Sequence, residues 1–112
     1  NTPTHGLLRP SPRILTMILH TLNASPSSIA FMDCVNIIAK DDALVLMGDG
    51  VYAALADTDA SKALQDTDAK LYVMAADALA AGVKNLAVAV SCIDMDGLVA
   101  LTETFPRQQA WY

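Results

Sequence analysis

From Ile14 onward, short apolar runs alternate with segments whose apolar residues recur at helical spacing. Ile14–Leu22 is apolar and β-branched in places, and reads as a first strand. Ser25-Pro26-Ser27-Ser28 offers a capping hydroxyl and a proline suited to a first helical turn. A helix is therefore expected to start there and run to about Lys40, with Ile29, Phe31, Met32, Val35, Ile38 and Ala39 on its apolar face. Asp41-Asp42 interrupts the pattern before a second strand, Ala43–Met47. Val51–Ala56 predicts a short helix, and Asp57–Asp68 a polar connection with room for another helical turn. Lys70–Met74 is the third strand, followed by a helix over Asp77–Ala81 that Gly82 stops. Ala87–Ile93 reads as a fourth strand, Asp94–Glu103 as a helix, and Gln109–Tyr112 as a short last strand.

Strands apolar on both faces that alternate with helices predict a parallel sheet covered on both sides. Right-handed crossovers then give a small, flavodoxin-like, three-layer α/β domain with a mostly parallel sheet of four or five strands. The junction Ala43–Leu55 (ALVLMGDGVYAAL) is a buried strand running through Gly48-Asp49-Gly50 into an Ala-rich helical segment. In an open parallel sheet this is the carboxyl end of a strand, where such folds place their sites. The junction carries no nucleophile, no metal-ligand set and no phosphate loop. Residues 1–16 hold three prolines and little periodicity, and read as a flexible leader ahead of a domain spanning 17–112, with Met17 a plausible native start.

Composition narrows the function classes. A chain of 112 residues is one domain. Its 54% hydrophobic content and mean hydropathy of +0.37 exceed what so small an interior hides. The longest uncharged apolar runs fall short of the ~20 residues of a membrane helix, so subunit contacts rather than a membrane are expected to cover the surplus. A net charge of −5, with seven scattered Lys and Arg, argues against direct nucleic-acid binding. Two cysteines and no signal peptide point to free thiols in the cytoplasm.

The candidate chemical residues each have a plain structural reading. Cys34, inside the first helix, reads either as a small buried hydrophobe or as a persulfide carrier. The carrier role needs a stabilised thiolate, which the neighbouring Asp33 opposes. Cys92, near the end of the fourth strand and followed by Asp94 and Asp96, is assigned to core or interface packing. His20 has no second histidine within the domain to pair with, so a structural or interface role is favoured and no metal is expected. The segment from His20 to Ser27 occupies the slot where flavodoxins cradle a phosphate, but it lacks the glycine, so no flavin or other cofactor is expected. Asp49 fits turn chemistry between two glycines, and an acidic pair for a phosphoacceptor is missing after the first strand. Trp111 and Tyr112 are expected to dock on the body or on a neighbouring subunit.

An ordered set of short motifs resembles the DsrH/TusB family of the DsrE/DsrF/DsrH-like sulfur-relay proteins. It comprises Ile18-Leu19-His20-Thr21-Leu22-Asn23 with Ser25-Pro26, then Asp49-Gly50-Val51-Tyr52-Ala53-Ala54. Lys70-Leu71-Tyr72-Val73 with Asp77, Leu79 and Ala81-Gly82 follows, then Leu101-Thr102-Glu103 with Pro106 and Gln109-Ala110-Trp111. The resemblance implies a cytoplasmic subunit of a heterohexamer built with TusC/DsrF-like and TusD/DsrE-like chains. Such a complex passes persulfide sulfur from a TusA-like donor to a TusE/DsrC-like acceptor, for 2-thiolation of the tRNA wobble uridine or for dissimilatory sulfur oxidation. The main sulfur-carrying cysteine of the family lies on the TusD/DsrE-type chain, which makes this chain an accessory subunit of a sulfurtransferase complex. Cys34 falls where some DsrH-type members have a cysteine, which keeps a self-sufficient carrier as the alternative.

Overall fold

The computed structural model describes residues 17–112. The leader, and the expected strand residues Ile14–Thr16, lie outside the described residues. Five strands form one sheet: β1 (Ile18–Leu22), β2 (Ala43–Leu46), β3 (Lys70–Met74), β4 (Val90–Ile93) and β5 (Arg107–Trp111). Every pairing is parallel, and the spatial order is β4-β3-β2-β1-β5. The layers match the flavodoxin-like expectation, while the order differs from the 2-1-3-4-5 of flavodoxin itself.

The order explains the layers. From β1 to β4 the chain steps in one direction, so right-handed crossovers put α1 (Ile29–Ile37), the 3-10 helix (Gly48–Ala54), α2 (Asp59–Asp66) and α3 (Ala75–Ala81) on one face. The return from β4 to β5 takes α4 (Met95–Thr104) across the other face. Two apolar clusters result. Leu22, Leu44, Leu46, Leu71 and Val73 meet Phe31, Cys34, Val51 and Leu64 on the first face. Leu19, Ala43, Val45, Met74 and Phe105 pack on the second, with Leu98 and Leu101 of α4 against them. β2 is buried along its whole length because it is central and covered on both sides.

Local hydrogen bonds moved several boundaries from their expected places. The helix expected at Pro26 begins at Ile29: the Ser28 amide and hydroxyl both donate to the Ser25 carbonyl, which closes a turn over Pro26. The Ser28 hydroxyl then caps α1, accepting from the Phe31 amide at 3.1 Å. At its other end α1 stops at Ile37, short of Lys40, because the Ala39 amide donates to the Asp42 carboxylate at 2.9 Å. The expected strand from Ala87 starts only at Val90. Asn85–Ala87 is taken up by the end of the 3-10 helix, where the Ala56 and Ala87 amides donate to the Asn85 and Ala54 carbonyls. α3 starts directly from β3 and ends at Gly82, whose φ of 75° lies in the left-handed region.

Candidate functional site

At the carboxyl edge of the sheet, the chain leaves β3 toward α3 on one face and leaves β4 toward α4 on the other. Adjacent strands whose connections diverge leave a crevice between them, the usual ligand position in open α/β sheets. A cleft of about 510 Å³ opens at this point. Met47, Met74, Met95 and Leu98 give it apolar walls, and Asp77 and Asp94 are its charged groups. Each aspartate holds a backbone turn in place. Asp77 accepts from the Gly48 amide and Asp94 from the Gly97 amide, both at 2.9 Å. Among the described residues, no cysteine or histidine lines the cleft.

The Gly48-Asp49-Gly50 junction lies at the carboxyl end of β2, as the sequence predicts, and its glycines answer to packing. A Cβ on Gly50 would stand 2.3 Å from the Leu22 carbonyl oxygen. Gly48 has a φ of 52°, and a Cβ there would meet the Asn23 side chain. Asp49 is exposed within the 3-10 helix.

Cys34 is fully buried between α1 and the sheet. Burial, reinforced by the negative charge of Asp42, pushes its thiol up to about 12. At neutral pH it is a neutral thiol, and persulfide exchange requires a thiolate that attacks. Cys92 lies on the edge strand β4 and is exposed, so it belongs to no core. The two sulfurs belong to different regions of the molecule.

His20 is fully buried in β1. Its Nε2 lies 2.9 Å from Asp42 Oδ2, and its Nδ1 accepts the Trp111 indole N–H at 3.0 Å. An indole nitrogen only donates, so Nδ1 must be the acceptor and the ring proton sits on Nε2, facing the carboxylate. Asp42 also accepts from the Ile18 and Ala39 amides, each at 2.9 Å. The arrangement resembles a catalytic relay but points at no nucleophile. It ties the edge strand β5 to β1 and to the entry of β2. Asp42, read from sequence only as a pattern break, is thus a structural hub; its one sequence signal is an acid directly ahead of a fully apolar strand. Trp111 docks on the body through this bond, whereas Tyr112 is exposed. Among the described residues no group of three His, Cys, Asp or Glu is placed to hold a metal ion. No helix among them is long and apolar enough to cross a membrane.

This architecture has relatives. The family described as "DsrH like protein" matches residues 24–108. The chain belongs to the DsrH/TusB family. It is 38% identical over 95 residues to "Protein TusB" of Pectobacterium parmentieri, covering 84% of this chain and all of that protein. It is 32% identical over the same length to "Protein TusB" of Escherichia coli K12, again across 84% of this chain and all of the relative. Among solved structures, the ychN protein from E. coli superposes with a TM-score of 0.70 at 16% identity, over 84% of this chain and 97% of that one. MTH1491 from Methanobacterium thermoautotrophicum gives 0.62 at 15% identity, over 84% and 96%. These two show that the fold is shared.

Proposed function

We propose that the chain is an accessory subunit of a cytoplasmic sulfur-relay complex that supports 2-thiolation of the tRNA wobble uridine. Its neighbours in the complex are TusC/DsrF-like and TusD/DsrE-like chains, and the complex takes persulfide sulfur from a TusA-like donor and hands it to a TusE/DsrC-like acceptor. Membership of the DsrH/TusB family supports the relay, and relatives named TusB support the tRNA branch over sulfur oxidation. One observation carries the accessory role: the cleft at the carboxyl edge contains no thiol, and Cys34 is buried and neutral. In this reading sulfur moves on a neighbour's cysteine, and this chain supplies surface.

The test is co-expression with the TusC-like and TusD-like chains of the same organism, followed by native mass spectrometry. An assembly holding equal copies of three chains is expected; a chain that never joins the other two overturns the reading. Deleting the chain should also remove most of the 2-thiouridine from the tRNA that carries it. Unchanged thiolation rejects the tRNA branch.

A further inference from the structure

The carboxyl-edge cleft has a chemical character that selects its occupant. Its walls are apolar, three of them methionine thioethers, and its polar groups are both acidic. Asp77 and Asp94 each commit one oxygen to a backbone amide, through Oδ2 and Oδ1 respectively. The other oxygen of each accepts from no donor among the described residues. Among the described residues no Lys or Arg lines the cleft; Lys70 and Arg107 begin β3 and β5 at the opposite edge of the sheet. The N-termini of α3 and α4 offset only about half a charge each. The cleft is therefore net negative, and phosphates, carboxylates and persulfide anions are repelled from it.

The apolar surface also continues outside the cleft. Leu79, one helical turn from Ala75, is 76% exposed, and Met95 and Val99, four apart on α4, are 61% and 48% exposed. A small molecule filling the cleft leaves these side chains in water, whereas a polypeptide covers them.

We propose that this cleft receives a cationic segment of a partner protein. An arginine or lysine lays its aliphatic stem against Met47, Met74 and Met95 and brings its charged head to Asp77 and Asp94. Methionine walls suit this because they adapt to an inserted side chain, and long cationic side chains bury their stems while the head stays polar. The surface goes beyond the relay reading and stands whether or not sulfur passes through the assembly.

The test uses the full chain with its methionine methyl groups labelled for NMR; the five methionines include Met17 and Met32, which lie outside the cleft and serve as controls. The probes are a decapeptide of alternating Leu and Arg, the same peptide with Gln or Glu in place of Arg, and hexylguanidinium alone. The Arg peptide should shift Met47, Met74 and Met95 and leave Met17 and Met32 in place, while the Glu peptide does nothing. The double variant Asp77→Asn, Asp94→Asn keeps both backbone acceptors but loses both charges, and should bind the Arg peptide about three- to tenfold more weakly. Unmoved Met17 and Met32 signals in that variant verify its fold. Equal binding of Arg and Glu peptides, shifts spread over all five methyls, or an unweakened double variant each overturn the proposal. Hexylguanidinium that binds as tightly as the Arg peptide overturns it in favour of a small-molecule site. Cleft methyls that shift with protein concentration alone overturn it in favour of a second copy of this chain.

Discussion

Cys34 and Cys92 share a chain but not an environment. Cys34 is sealed under α1 and held neutral, while Cys92 is exposed on β4. Iodoacetamide at pH 8 should therefore alkylate Cys92 and leave Cys34 untouched until the protein unfolds; equal rates at both would contradict this placement. The thiol's pKa rises from 9.0 to about 12 on folding, so the folded state prefers the protonated form. That preference contributes fully below pH 9 and is lost as pH climbs from 9 toward 12, by at most ~1.4 kcal/mol per pH unit. The stability gap between wild type and Cys34→Ala, measured by urea unfolding, should narrow between pH 8 and 10.5; a constant gap refutes it. At the other buried polar cluster, Asp42→Ala strands the Ile18 and Ala39 amides and the His20 ring, and should cost about 3–5 kcal/mol. Trp111→Phe removes a single hydrogen bond and should cost about 1–3 kcal/mol. The reverse order in thermal or urea unfolding would show that Asp42 is not the hub.

Among the elements, the tightest constraint lies where the 3-10 helix crosses the end of β1. Gly50→Ala drives a methyl into the backbone oxygen of Leu22, and a backbone atom has nowhere to retreat. Gly82→Ala meets open space and bears only the left-handed φ, about 1–2 kcal/mol. Gly50→Ala should therefore lower the melting temperature much further than Gly82→Ala, and equal effects would contradict the packing at the 3-10 helix. The same comparison marks what the sequence could and could not reveal. β3 matched its expected residues, Lys70–Met74, because the apolar run Leu71–Met74 follows a polar connection that ends at Asp68, whose φ of 59° marks a turn. α4 was legible from Asp94, whose side chain does cap it through the Gly97 amide. The start of α1 was not, since three serines offer equivalent hydroxyls and only the turn over Pro26 decides among them. β4 was read three residues too long because Ala87–Ala89 is apolar enough for a strand, yet Ala87 bonds to the 3-10 helix instead. The cleft between β3 and β4 was out of reach as well, because strand order is a property of crossovers and not of any one segment. Likewise nothing local links His20 to Trp111, 91 residues further on.

On the scale of the whole molecule, the two faces of the sheet are unequal. Four helical segments cover one, and α4 is the helix the described residues place on the other. The edge strands are open to solvent: β4 exposes Ser91 and Cys92, and β5 is exposed from Arg107 to Ala110. Ile29, Met32 and Ile37 on α1 and Leu79 on α3 are more than half exposed. Apolar residues in such number on so small a body mark surfaces to be covered. Sedimentation of the isolated chain should show self-association that rises with concentration and disappears when the partner chains are supplied. A strict monomer at high concentration would leave those surfaces unexplained.

The most direct measurement asks whether the chain works without sulfur of its own. In cells lacking it, the double variant Cys34→Ser, Cys92→Ser should restore the 2-thiouridine content of tRNA to the level given by the wild-type chain. A variant that folds and assembles yet leaves thiolation as low as in the deletion would contradict the account, because it would place an essential thiol on this subunit.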